Sequence, residues 1–377
     1  MKKVLFVATV VGHIKAFHLP FLKQLQENGW ETHVAAKADS VSETEIKYCD
    51  TFHNVDFTRN PFTFSNLKTY FQLKEIMKSH NFDIIHCHTP VGGAITRLAV
   101  KNIHSNKVAK VIYTAHGFHF YKGAPLLNWL VYYPIEKFLS RYTDVLITIN
   151  KEDFARAKTF HARKVEYVPG VGIDIDKIQA VTVDKTKKRK ELGIPDNAFL
   201  FISVGELNRN KNHEIVIRAL SMLDTNDNLY YIIAGIGPLK EHLQSLIKKS
   251  GLSSRIQLLG YRSDIIELLK ISDCFVFPSL REGLPVALME AITCGLFIVC
   301  SNIRGNTDLV EGNMTGYLLF QNTNMNSLLS CLNNAPVTKD KCGEKLSKKV
   351  IPFEQDIVIE QMKKVYSKCL SEGIRHE

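Results

Sequence analysis

The feature that most limits how this chain can fold is an alternation that runs through it twice. Short, nearly continuous apolar runs alternate with helix-length segments. The first series holds VLFVATV (4–10), THVAA (32–36), DIIHCHT (83–89), KVIYTAH (110–116), DVLITIN (144–150) and VEYVP (165–169); Ala16–Asn28 reads as one helix between the first two. The second series starts at Phe199 with LFISVG and continues with LYYIIAG, IQLLG, CFVFP and LFIVCS. Strands apolar on both faces and separated by helices belong to parallel sheets covered on both sides. With 377 residues there is enough chain for two such domains, each with its own core. The spacing therefore predicts an α/β protein of two doubly wound, Rossmann-like domains. The first covers residues 1–180 and takes back a helix from 353–377, where apolar residues recur at Ile357, Ile359, Met362, Val365, Tyr366 and Leu370; the second covers 181–352.

Composition narrows the function. The eight cysteines are scattered and form no CxxC pair, so they read as reduced thiols. Met-Lys-Lys opens directly into a strand-like run, which carries no export signal, and no apolar run reaches the roughly 20 residues of a membrane span. The expected location is cytoplasmic. Net charge is +10, of which residues 1–180 carry +7 from 23 basic and 16 acidic side chains. The basic residues form no stripe with interleaved aromatics, which argues against nucleic acid and for an anionic acceptor or membrane face. The cluster Lys185, Lys187, Lys188, Arg189, Lys190 reads as a solvated linker helix.

In open α/β sheets a ligand sits beyond the carboxyl ends of the strands, where helix N-termini present N–H groups. After CFVFP comes Ser279-Leu-Arg-Glu282-Gly283-Leu284-Pro285 and a helix, Val286–Thr293, carrying Glu290. Gly283 permits close approach, and Pro285 suits a first helical position. The turn can therefore meet a diphosphate, and Glu282 and Glu290 can accept hydrogen bonds from sugar and ribose hydroxyls. After LFISVG, Gly205 leads to Arg209, Lys211 and Asn212, the last a natural helix N-cap.

These motifs resemble the family 4 glycosyltransferases, retaining enzymes of the GT-B fold, and in particular those of bacterial exopolysaccharide and capsule synthesis. The resemblance rests on Glu282-Gly-Leu-Pro-Val-Ala-Leu-Met-Glu290 with Phe277-Pro-Ser279 before it. In the first half it rests on Ala16-Phe-His-Leu-Pro20, on Asp83-Ile-Ile-His-Cys-His-Thr-Pro-Val-Gly-Gly93 and on Tyr113-Thr-Ala-His-Gly-Phe-His119. It implies two domains facing a central crevice and transfer of a sugar from a nucleotide donor, with UDP the default, to a polyprenyl-diphosphate-linked saccharide. By resemblance, Glu290 binds the donor ribose, Glu282 the transferred sugar, the Gly283 and Leu284 N–H groups and Lys211 the diphosphate. Gly260 and Tyr261 cup the base, and His116 lies beside the sugar. Where the family places Arg after the glycine of its V-G-R-L segment, this chain has Glu206, so the diphosphate falls to Arg209 and Lys211 next to Gly205. Gly12, His13, Lys15 and His119 form the acceptor side. No cofactor and no metal are expected, because the H-x-H pair His86 and His88 and the nearby His116 and His119 have no Cys or carboxylate completing a ligand set. Ala124–Ile135, with Trp129, Tyr132 and Tyr133 and the following Lys137 and Arg141, reads either as a core helix containing Trp129 or as a membrane-contact segment; the resemblance favours the second, making the protein peripheral on the inner face of the cell membrane. A nucleotide-sugar epimerase or phosphorylase of the same fold, or a non-catalytic sugar-binding protein, is the alternative reading.

Overall fold

The computed structural model describes residues 1–58, 60, 63–101, 109–223, 228–310, 316–338, 346 and 348–371; Cys342 and the end of the expected C-terminal helix lie outside them. The chain divides into two compact units, Met1–Gly172 with Asp356–Glu377, and Ile173–Gln355. The division falls at 172/173 and 355/356 rather than at 180/181 and 352/353. At that division the Ile173 N–H donates to Phe353 O and the Gln355 N–H to Ile173 O, so the two crossing segments are tied to each other.

In the first unit the strands β1 (Lys2–Val10), β2 (Trp30–Lys37), β3 (Thr51–Asn54), β4 (Ile84–His88), β5 (Lys110–Ala115), β6 (Val145–Thr148) and β7 (Lys164–Tyr167) form one parallel sheet. Their order is β3-β2-β1-β4-β5-β6-β7. Val4, Phe6 and Ala8 of β1 are fully buried on one face, and Leu5 and Val7 on the other. The C-terminal helix Gln355–Ser371 joins this unit, burying Val358, Met362, Val365 and Tyr366 against the β1 face. Tyr366 Oη lies 2.8 Å from His86 Nδ1. The expected single helix at Ala16–Asn28 is two: α1 (Val11–Phe17) and α2 (Leu19–Glu27). Pro20 explains the break, since it lacks an N–H and its ring would meet the carbonyl of Ala16 in a continuous helix. Helices α3 (Ser65–His80), α4 (Pro90–Lys101) and α5 (Leu126–Leu139) cover the opposite face.

The second unit is also parallel, with β8 (Phe199–Val204), β9 (Leu229–Ala234), β10 (Ile256–Gly260), β11 (Cys274–Phe277), β12 (Phe297–Ser301) and β13 (Tyr317–Phe320) in the order β10-β9-β8-β11-β12-β13. The basic cluster forms a helix of this unit, Lys185–Glu191, and is not simply solvated. Arg189 is buried and donates to the carbonyls of Ile271, Asp196 and Ala198 and to Asp273, while Lys188 pairs with Asp264 and Glu267. Both sheets reverse strand order once, between β1 and β4 and between β8 and β11, and such switch points are where crevices open at the carboxyl ends.

Candidate functional site

At the β8/β11 switch point the loops after the two strands are knitted together. The Leu280 N–H donates to Asn210 O at 2.7 Å, and Asn210 Nδ2 donates to Arg281 O at 2.9 Å. This brings Lys211 Nζ to 2.7 Å from Glu282 Oε1, with the ammonium 4.6 Å from the centroid of the Phe277 ring. Two residues singled out separately in the sequence thus form one ion pair. Gly205 makes room for it, because a Cβ there would lie 3.2 Å from the aliphatic stem of Lys211. Asn208 braces the loop, accepting from the Lys211 N–H through Oδ1 and donating to Glu206 through Nδ2. Glu206, which replaces the expected cation, serves here as a loop acceptor. Arg209 is exposed and lines a small pocket with Asn212, His213 and Leu239, so of the two expected cations it is Lys211 that meets Glu282. Asn212 occupies the N-cap position but makes no side-chain cap bond; it turns the chain through a left-handed conformation at φ 53°.

The turn is held from other strands as well. Ser301, ending β12, donates through Oγ to Ser279 O at 2.6 Å, and Asn306 Nδ2 donates back to Ser301 O. Asn322, beyond β13, reaches Leu280 O at 3.3 Å. Gly305 sits so close that a Cβ would stand 2.6 Å from Gly283 O. Sequence reading missed Ser301, Gly305, Asn306 and Asn322, although the polar run after LFIVCS is the same signal that drew attention to β8 and β11. Pro285 caps the helix Val286–Thr293 rather than starting it, and the first N–H groups of that helix have no intrahelical acceptor. Glu290 lies within this helix, and burial pushes its carboxyl up to about 7. Gly260, at φ 69°, turns the chain after β10 while its carbonyl accepts from the Gly235 N–H, and the Tyr261 side chain that follows is 78% exposed.

At the β1/β4 switch point the fold gathers histidines. His116 directly follows β5, His88 ends β4, His13 lies on α1 and His18 between α1 and α2. His116 Nε2 lies 3.4 Å from His13 Nε2 and 3.3 Å from His88 Nδ1, and the His18 and His88 rings stack at 3.8 Å. Burial and the neighbouring imidazoles hold His18, His88 and His116 well below the usual range, and burial takes His13 down to about 4. Sequence spacing had paired His86 with His88 and found no ligand set; the fold instead joins His88 to three histidines from other elements. His86 is satisfied by Tyr366 and Thr114.

Beside this cluster runs a largely apolar groove of about 860 Å³, lined by Val10 and His13, by Val91, Ile95 and Leu98 of α4, and by His119, Tyr132 and Phe138. Gly92 and Gly93 let α4 pack closely on its neighbours: a Cβ on Gly92 would meet Thr89 Oγ1 at 2.7 Å, and one on Gly93 would collide with the Tyr113 ring. The buried Arg97 fastens α4 to α5, donating to Glu136 at 2.8 Å while its guanidinium lies 3.9 Å from the Tyr113 ring centroid. Gly12 is exposed with open space where a Cβ would stand, and Lys15 reaches Ser42 O. On α5 the aromatics turn inward: Trp129 and Tyr133 pack on Phe120, and Tyr132 lies 4.8 Å from His119. The outward face is carried by Leu126, Leu127 and Leu130, each about two-thirds exposed or more, with Ile135 and Phe138. Among the described residues no helix is long and apolar enough to cross a membrane.

Two parallel α/β units, each with polar loops gathered at its switch point, make a two-domain α/β fold, and the comparisons give its class as glycosyltransferase. The chain matches the family described as glycosyl transferases group 1 over residues 184–336 and that described as glycosyl transferase 4-like over residues 3–150. EpsD of Bacillus subtilis (strain 168) is 37% identical over 97% of this chain and 96% of its own length. The UDP-Gal:alpha-D-GlcNAc-diphosphoundecaprenol alpha-1,3-galactosyltransferase of Escherichia coli is 32% identical over 77% of this chain and 75% of its own. Among solved structures, Anabaena HepE in complex with UDP-glucose superposes with a TM-score of 0.78 at 18% identity, covering 98% of this chain and all of that one. The chain belongs to the family 4 glycosyltransferases of the GT-B fold.

Proposed function

We propose that this glycosyltransferase moves a hexosyl or N-acetylhexosaminyl unit from a UDP-sugar, with retention of configuration, onto a saccharide carried on a polyprenyl diphosphate, as a step in cell-surface polysaccharide synthesis. The observation that carries the donor half is the Lys211–Glu282 pair beside the N-terminus of the helix Val286–Thr293. An incoming diphosphate takes the ammonium of Lys211, and the carboxylate thereby released accepts hydrogen bonds from the sugar hydroxyls. The same ammonium, with the Gly283 and Leu284 N–H groups and the positive end of the helix, stabilises negative charge on the departing UDP, where it matters most for the rate. The donor diphosphate then needs no divalent cation. Glu290 binds the ribose, and Gly260 and Tyr261 border the base.

The acceptor half rests on the first unit. Its groove is apolar along α4 and α5 and ends at His13 and His119, which suits a lipid carrier leading to polar groups. His116 stands beside the transferred sugar as a polar, neutral side chain, and the outward leucines of α5 with Trp129, Tyr132 and Tyr133 behind them touch an anionic inner membrane face. The E. coli relative, whose acceptor is a diphosphoundecaprenol-linked GlcNAc, supports this reading. Incubating the protein with a panel of UDP- and GDP-sugars, with and without polyprenyl-diphosphate-linked saccharides, tests it. Release of UDP that depends on the lipid-linked acceptor is expected. Preference for a GDP-sugar, or equal transfer to free saccharides, would overturn the corresponding part.

A further inference from the structure

The four histidines at the β1/β4 switch point do not close as a hydrogen-bonded group. A neutral ring nitrogen carries either one proton or one lone pair, yet His116 Nε2 faces both His13 Nε2 at 3.4 Å and His88 Nδ1 at 3.3 Å. Both nitrogens of His18 and Nε2 of His88 are buried without a partner among the described residues, in side chains only 1% and 0% exposed. A buried polar atom that nothing meets loses its water without compensation. Something absent from the protein's own hydrogen bonding belongs in their midst.

We propose that His13, His18, His88 and His116 bind one divalent transition-metal ion, zinc or a chemically similar ion, inside the first unit. One nitrogen from each lies within 4.8 Å of one from every other. Metal–imidazole bonds of about 2.0–2.1 Å at tetrahedral angles place ligand nitrogens about 3.3 Å apart, close to the separation of His116 Nε2 from His13 Nε2 and from His88 Nδ1. The donor set is all imidazole, which selects Zn²⁺, Cu²⁺, Ni²⁺ or Co²⁺ and disfavours the oxygen-seeking Mg²⁺, Ca²⁺ and Mn²⁺. The site is therefore distinct in chemistry from any cation that would serve a diphosphate. Its ligands come from α1, the α1–α2 break and the ends of β4 and β5, so the ion would pin the broken helix to the sheet and fix the ring orientations of His13 and His116. A second group, His33, His53 and His80, makes no such demand. His33 is bonded on both sides, to Glu31 at 2.7 Å and His53 at 3.0 Å, and His80 Nδ1 is engaged by Ile76 O.

The test uses the full chain without a polyhistidine tag, stripped with chelator and then titrated with Zn²⁺ or Co²⁺. We expect one tightly held ion per chain by elemental analysis, and a Co²⁺ form with the intense visible absorption of tetrahedral coordination. His13→Ala, at a half-buried position on α1, should weaken binding at least tenfold and bleach that spectrum while leaving the thermal melt in chelator unchanged, and His18→Phe should also abolish binding, whereas His53→Ala should leave both unchanged. Failure of the wild-type chain to hold either ion at micromolar concentration would overturn the assignment. So would loss of the ion in His53→Ala with retention in His13→Ala.

Discussion

Replacing Glu290 by Gln should make the protein more stable and a worse binder of UDP at once. The carboxyl sits in the helix Val286–Thr293, and its burial raises it from the usual 4.5 to about 7. A carboxyl whose folded pKa exceeds its unfolded one contributes stability that is fully present below about pH 4.5 and is lost as pH rises through 7. At 1.36 kcal/mol per unit, the ionised form costs the fold at most about 3 kcal/mol at high pH. Solvent reaching this partly exposed group reduces that to about 1–2 kcal/mol. Glutamine keeps the shape and removes the charge, so the variant should melt about 3–6 °C above wild type near pH 8, with the gap closing as the pH falls toward 4.5. UDP should show the opposite order, because a ribose hydroxyl bonds an ionised carboxylate more strongly than an amide. Thermal melts of both proteins at about pH 5, 6.5 and 8, with and without UDP, provide the assay. If the variant were less stable than wild type at pH 8, or gained as much as wild type from added UDP, the reasoning would fail.

Other consequences are equally direct. Lys211→Ala should weaken UDP binding about 10- to 100-fold by calorimetry, the worth of one charge-assisted contact, whereas Glu282→Gln should keep UDP affinity and slow transfer. UDP affinity should persist in EDTA; loss that magnesium or manganese restores would show that the diphosphate needs a cation. Glu136→Ala strands the buried Arg97 and should cost about 3–5 kcal/mol in urea unfolding, while Arg97→Met with Glu136→Leu should cost far less, since the pair's removal also removes its desolvation. In flotation, anionic vesicles should capture the protein and neutral ones should not, with release as salt rises; Leu127→Ser with Leu130→Ser should abolish capture if the outward face of α5 makes the contact.

The sequence by itself determined the class of fold and the donor turn, because both are written in local patterns. Continuous apolar runs separated by helices bury themselves most readily as parallel sheets, and Glu282 through Glu290 follow one strand as a single turn and helix, so their spacing is legible locally. The break at Pro20 was legible too, had the missing N–H been given priority over the apolar period. Tertiary structure alone decided which distant residues meet. Strand order places the loop after β8 against the loop after β11, which pairs Lys211 with Glu282 and recruits Ser301, Gly305 and Asn322 as supports. It likewise gathers His13, His18, His88 and His116 from four separate places, where sequence spacing grouped His86 with His88 and His116 with His119. On α5 the sequence reading put Trp129, Tyr132 and Tyr133 at the membrane contact, and only packing against Phe120 and His119 decided that the aromatics turn inward and the leucines outward. Local pattern follows from bond geometry and water exclusion within a few residues of chain, whereas a parallel sheet makes neighbours of strands tens of residues apart, and no residue's spacing along the chain records that choice.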